Sequence, residues 1–207
     1  MILPIVKYGA PVLRQKGARI EAITSEIKEL IADMFETMYE AAGIGLAAQQ
    51  VGRALQLTVI DVREVTDRPS TLELGGQPAE VDSIMPLVLI NPEIKPVGEL
   101  VVGAEGCLSF PEIYAEIIRP AEVEVRAWNA EGSVIEFKAG GLLARAIQHE
   151  VDHLNGILFI DRMTPKAKNE HRAAIEELQA QTKAALGQRL RPAGTSDDAG
   201  RVTPRRR

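Results

Sequence analysis

The run His149-Glu150-Val151-Asp152-His153 constrains this chain more than any other stretch. Histidines at i and i+4 lie one helical turn apart on the same face, so both imidazoles can reach a single cation. Glu150 is the next residue round that helix, placed to contact a water on the cation rather than the cation itself. The bland alternative is a solvated face with two stray histidines. The chain has only three histidines, so the spacing weighs against that alternative.

Two imidazoles do not complete a catalytic metal site, which takes three protein ligands and keeps one position open. Downstream, Asp161, Glu170 and His171 form no evident motif, and His171 lies past Pro165 on a different expected helix. Upstream, Glu105-Gly106-Cys107-Leu108-Ser109-Phe110-Pro111 holds the only cysteine. A lone Cys is most often a small buried hydrophobe. Here it stands beside Gly106 in an irregular turn, where backbone can approach a ligand. One thiolate with two imidazoles suits a borderline-soft divalent ion. A third segment is Gly43-Ile44-Gly45-Leu46-Ala47-Ala48-Gln49-Gln50. Its glycines and small residues let an extended substrate backbone lie close, and a Gln side chain can donate an N–H to a developing oxyanion. The same glycines also read as a helix C-cap and a turn. The phosphate-loop patterns are absent.

A single cysteine excludes a disulfide framework. No apolar run approaches the roughly 18 residues that would span a bilayer. The start, Met1 to Gly9, is neither signal-like nor transit-like, which points to a soluble protein of a reducing cytoplasm with no membrane partner. A 45% hydrophobic content over 207 residues fills the core of one domain, expected over residues 1–188. Residues 189–207 carry six Arg and two Asp, a net +4, which leaves −9 for the body of a chain whose total is −5. An acidic body argues against DNA as a partner, because phosphate neutralisation needs clustered Lys and Arg. The tail, with Pro192, Gly194, Gly200 and Pro204, reads as a disordered basic end.

Thr24 or Ser25 caps a helix whose Ile27, Leu30, Ile31, Met34, Phe35 and Met38 share one face, with Gly43 as its C′ glycine. Leu55 to Val62 reads as a strand. Residues 63–86 are polar and contain Gly and Pro, so a long loop or inserted excursion is expected, with 66–85 as its inserted part. Leu87 to Asn91 is a short strand. Glu122 to Trp128 and Val134 to Lys138 form a hairpin about Asn129-Ala130-Glu131-Gly132. Gly140-Gly141 opens a second helix that runs to about His153 and is closed by Asn155-Gly156. Thr164-Pro165 starts a last helix ending near Gly187. This order, without regular βαβ alternation, predicts an α+β fold.

The three chemical segments, in this order, resemble peptide deformylase: Gly43 to Gln50, Glu105 to Ser109, and Gln148 to Leu154 match the family's three motifs. Pro11-Val12-Leu13-Arg14 is similar to its N-terminal segment, and the likeness covers roughly residues 1–165. The resemblance implies that Cys107, His149 and His153 hold the metal and that Glu150 is the acid/base. It also implies that Gln50 and the Leu108 N–H form the oxyanion site. The implied reaction removes the N-formyl group from the initiator methionine of nascent polypeptides, releasing formate. The implied cofactor is one divalent ion, Fe²⁺ in the cell, with Zn²⁺, Ni²⁺ or Co²⁺ able to substitute. The implied fold has mostly antiparallel strands packed around a central helix carrying the two His, with a C-terminal helix beyond. In relatives the C-terminal region can contact the ribosome; for this basic tail a solvated end is the first reading and a ribosome contact the alternative.

A small formyl group and a flexible apolar methionine call for an apolar pocket. Ile44, Gly45, Gly106 and Leu142 are its expected substrate-binding residues. Leu142 and Leu143 read equally well as core, and Leu142 is placed in the pocket because it stands seven residues before His149 on one helix. Imidazole ligands also need polar partners to orient them. Arg119 is expected to hold Asp152, with Glu105 in the same network. The rival readings are a metallopeptidase cutting internal bonds, a non-catalytic Cys/His₂ metal module, and a redox role for Cys107.

Overall fold

The computed structural model describes residues 1–189, so the expected tail lies outside them except for Arg189, which ends the last helix. Helix α1 (Ser25–Glu40) begins where the Thr24 hydroxyl accepts the Ile27 N–H at 3.3 Å. That bond satisfies one of the donors a helix start leaves open, and Glu26 in the first turn complements the helix dipole. Ile31, Met34 and Met38 turn inward and pack with Leu46, Leu57, Val59 and Ile90 in one apolar cluster. The helix ends one residue earlier than the glycine pattern predicts. Ala42 is the left-handed residue, at φ 53°, and the Gly43 N–H donates to the Met38 carbonyl at 2.9 Å. Gly43 lies close under the Leu108 side chain, whose Cδ1 a Cβ there would meet at 2.7 Å.

Seven strands follow: β1 (Gly45–Ala47), β2 (Leu57–Ile60), β3 (Ser70–Leu74), β4 (Gln77–Ala79), β5 (Leu87–Cys107), β6 (Phe110–Trp128) and β7 (Val134–Gly140). They form one sheet in the order β1-β2-β5-β6-β7-β3-β4, and every neighbouring pair is antiparallel. The fold is α+β with a C-terminal helix, as expected.

Two sequence expectations are corrected here. Residues 63–86 are not a plain loop: β3 and β4 form a hairpin about Gly75-Gly76, and β3 extends the sheet along β7. The short strand from Leu87 continues through Cys107 as half of a long hairpin with β6. Register shifts at Ile90/Glu93 and Val97/Leu100 accommodate Pro92 and Gly98, which otherwise argue against a strand.

Helix α2 (Gly141–Leu154) is buried along nearly its whole circumference. Leu142, Leu143, Ile147 and Val151 join Ile60, Leu89 and Val123 in a second cluster, beside partners from β2, β5 and β6. The C-terminal part comprises α3 (Phe159–Arg162), α4 (Pro165–Glu170) and α5 (Arg172–Arg189). The single last helix predicted from Thr164 is therefore broken, with His171 at the junction as the C-cap of α4. Ile175 of α5 packs with Leu13, Phe110, Phe159 and Ile160 in a third cluster. No helix among the described residues is long and apolar enough to cross a membrane.

Candidate active site

Helix α2 buries Gln148, His149, Glu150, Asp152 and His153 together, and buried polar groups persist only where partners satisfy them. The network is centred on Glu105 of β5. Its carboxylate accepts from Arg119 Nε at 2.5 Å and Nη2 at 3.0 Å, from Arg145 Nη1 at 2.9 Å, and pairs with His149 Nδ1 at 2.9 Å. Burial alone pushes the Glu105 carboxyl up, but the hydrogen bonds from His149 and Arg119 outweigh it and hold the group well below the carboxylate range. Arg119 reaches across to Asp152 Oδ2 at 2.9 Å, the pairing read from the sequence. Arg162 of α3 closes the other side of Asp152 at 2.6 Å.

With Nδ1 of His149 taken by Glu105, its Nε2 is left for a ligand. Cys107, at the end of β5, lies 3.3 Å from His153 Nε2. The ligand atoms of Cys107, His149 and His153 all fall within 4.8 Å of one another. Burial and the neighbouring His149 push the His153 imidazole well below its usual range, so it stays neutral, the form that ligates. Burial opposes charge on His149 too, yet the Cys107 sulfur and the Glu105 carboxylate hold that ring well above its usual range. A thiolate and two imidazoles at this separation, one ring oriented by a carboxylate, fit a divalent transition metal.

Glu150 lies beside this cluster. Burial pushes its carboxyl up to about 7, and its Oε2 is buried with no hydrogen-bond partner. Gly45 lets it stand so close to β1, because a Cβ there would meet Glu150 Cδ at 2.8 Å. Gln50 is oriented from behind: its Oε1 accepts the Ala47 N–H at 2.8 Å. Its Nε2 then points at Ser109 Oγ, 3.3 Å away, and at Cys107 Sγ, 3.5 Å away. Lys7 Nζ donates to the Leu108 carbonyl at 2.7 Å and fixes the turn after Cys107.

These groups open onto a groove of about 420 Å³, within the range of small-ligand sites. Its lining takes in Gly43, Ile44 and Gly45 together with Gly106, Cys107 and Leu108. Leu142, Ala146, His149 and Glu150 of α2 line it as well. All ten residues singled out from the sequence are thus brought to one place, nine of them, Gln50 included, in the groove lining. His153 is buried behind Cys107. A larger hollow of about 650 Å³ lies elsewhere, on β5, β6 and β7. Most of its charges are paired with each other, as in Lys95–Glu124 at 3.2 Å, and among the described residues no metal-ligand cluster lies there.

Sequence reasoning missed Arg145, Arg162, Lys7 and Ser109. Arg145 carried a signal, since it stands four residues before His149 and therefore on the same helix face. Tyr114 was missed as well; its ring lies against Gly106, where a Cβ would meet Cε1 at 2.6 Å. Arg162 and Lys7 lie outside the three chemical segments and carried none.

A family model described as polypeptide deformylase matches residues 2–169. A peptide deformylase of Opitutus terrae is 47% identical over 93% of this chain and all of its own length. Another, of Methylacidiphilum infernorum, is 45% identical over 86% of this chain and 93% of its own. Among solved structures, a plant peptide deformylase superposes with a TM-score of 0.77 at 39% identity, covering 89% of this chain and 93% of its own. A peptide deformylase from Synechococcus elongatus, solved in complex with actinonin, gives a TM-score of 0.69 at 40% identity, covering 92% and 91%.

Proposed function

The chain belongs to the polypeptide deformylase family and is a hydrolase; from that premise we propose that it removes the N-formyl group from the initiator methionine of nascent chains, releasing formate. The observation that carries this reading is the convergence of Cys107, His149 and His153 beside the unpartnered Glu150 carboxylate, at a groove.

Cys107, His149 and His153 hold one divalent ion, Fe²⁺ in the cell, with Zn²⁺, Ni²⁺ or Co²⁺ able to take its place. Bound there, the ion supplies Lewis acidity, lowering the pKa of water and polarising a carbonyl. Ile44 and Leu142 receive the methionine side chain, and Gly45 and Gly106 leave room for the peptide backbone in the groove. Gln50 Nε2 and the Leu108 N–H face the formyl oxygen and stabilise the negative charge that develops on it. Glu150 takes a proton from the attacking water. As the C–N bond breaks, it passes that proton to the leaving amine, so formate departs and the methionine amine is freed. A carboxyl with a pKa near neutrality is suited to both transfers. We place this chemistry in one domain, residues 1–188, on a helix central to the sheet. The reaction implies a cytoplasmic enzyme. A ribosome contact is proposed for the basic tail, which lies outside the described residues.

The test is formate release from N-formyl-Met-Ala-Ser by Fe²⁺-reconstituted enzyme kept free of oxygen, measured beside Glu150→Ala. Turnover by the parent is expected, with a loss of at least about a hundredfold in the variant while metal stays bound. Metal bound one-to-one with formate at background would overturn the reading in favour of a non-catalytic metal module. Cleavage of internal peptide bonds would overturn it in favour of a metallopeptidase.

A further inference from the structure

The hairpin β3–β4 and the residues before it are fastened to the start of α2. The Leu142 N–H donates to the Pro69 carbonyl at 3.0 Å, and the Leu143 N–H donates to Ser70 Oγ at 3.0 Å. Ser70 also bridges Gly141, whose φ of +64° and lack of a side chain admit the Pro69 carbonyl carbon, which a Cβ would approach to 3.1 Å. Two helix N–H groups that a helix start leaves open are thus satisfied by this inserted segment. Arg68, immediately before Pro69, is held by these bonds in the groove lining, near Leu142.

Apart from the Glu150 carboxylate, the other charges facing the groove are committed to neighbours. Arg145 donates to Glu105, to the Ile117 carbonyl at 2.9 Å and to the Val101 carbonyl at 3.0 Å. Glu105 is neutralised by Arg119, Arg145 and His149. Arg68 is half-buried and makes no ion pair or side-chain hydrogen bond among the described residues. It is the one guanidinium of the groove with its donors free. Guanidinium donors recognise carboxylates in a fork geometry that a single ammonium does not reproduce.

We propose that Arg68 is a specificity-determining residue that binds a carboxylate of the peptide downstream of the formyl-methionine, so that the enzyme favours chains with an acidic residue soon after the start. This rests on the deformylase reading above. Because the contact is made in ground and transition states alike, it acts through KM and leaves kcat little changed.

The experiment compares four capped peptides, N-formyl-Met-Asp-Ala amide, N-formyl-Met-Ala-Asp amide and their Lys counterparts, with N-formyl-Met-Ala-Ala as the free acid and as the amide. The amide-capped Asp peptides isolate a side-chain carboxylate, and the last pair isolates a terminal one. For the parent, kcat/KM is expected to favour Asp over Lys in at least one position by about three- to tenfold at low salt, mainly in KM. The preference should shrink at about 0.5 M salt. Arg68→Ala should bring the ratio to about one, Arg68→Glu should invert it, and Arg126→Ala, a remote exposed arginine, should leave it as in the parent. Preference for the free acid alone, with no side-chain effect, would restrict Arg68 to terminal carboxylates and overturn the claim about nascent chains. Formate release without charge preference, or a preference that survives in Arg68→Ala, overturns this inference alone. Absence of formate from every peptide overturns the deformylase reading and this inference with it.

Discussion

Glu105 shows how much of this site depends on one carboxylate. It pairs with Arg119, Arg145 and His149, and it is the group that frees His149 Nε2 for a ligand. Replacing it with Gln removes the charge while keeping the shape, which leaves two guanidiniums partly uncompensated in a buried place. Removing one partner of a buried ion pair costs about 3–5 kcal/mol. Arg119 keeps Asp152, so about 3 kcal/mol is expected for Glu105→Gln, read from urea unfolding of chelator-treated protein. Metal retention should weaken by roughly tenfold to a hundredfold in competition with a chelator, because the His149 ring loses its orienting acceptor. The exposed Glu116→Gln should move neither readout. The Arg119–Asp152 pair was legible in the sequence because Asp152 sits inside the histidine motif and needs a buried cation. Arg145 was not, although its spacing from His149 carried the information. An arginine on a helix reads as surface until the fold shows a ring of carbonyls and a carboxylate around it.

At the level of elements, short-range signals were legible and long-range ones were not. Thr24 as a cap, Thr164-Pro165 as a helix start and Asn155-Gly156 as a stop are local chemistry, and each stands where expected. The β3–β4 hairpin was not legible, because Ser70 to Ala79 has little apolar alternation and only Leu72 is buried. What makes it a sheet element is the edge of β7, which lies more than sixty residues later in the chain, at Leu72↔Ala139. The Gly140-Gly141 pair is informative in the same way. It marks a helix start in the sequence, and in the structure it makes room for Pro69 and Ser70 at the start of β3. Gly141→Ala should therefore cost about 3 kcal/mol, from backbone strain plus collision with the Pro69 carbonyl. Gly75→Ala has a similar φ of +56° with nothing within 4 Å, so it should cost only about 1 kcal/mol. Equal losses in denaturant unfolding would show that close seating on Pro69 contributes nothing.

On the scale of the whole molecule, the candidate metal ligands stand where the three apolar clusters meet. Cys107 packs against the cluster of Leu13, Phe110 and Phe159, and Leu108 packs against that of α1. Leu142, Ile147 and Val151 of α2, the helix that carries His149 and His153, belong to the cluster under the sheet. The residue types of the site were readable one motif at a time. Their meeting depends on the β5–β6 hairpin bringing Cys107 to His153 across 46 positions, a closure that no local pattern encodes. An ion held by all three ligands cross-links the end of β5 to α2, and binding to the folded state alone shifts the unfolding equilibrium. At an ion concentration about 100 times Kd that shift is about 2.7 kcal/mol. For a chain of this length, Tm changes by about 2–4 °C per kcal/mol, so chelation should lower it by about 5–10 °C. Scanning calorimetry with and without chelator measures this directly. His149→Ala should have a lower Tm than the metal-loaded parent and should lose most of the response to chelator. If chelation leaves the parent unchanged while metal analysis shows that the ion has left, then the fold holds these ligands in place by itself. The tie between hairpin and helix would then come from Glu105, Arg119 and Asp152, with the ion bound to a scaffold already set.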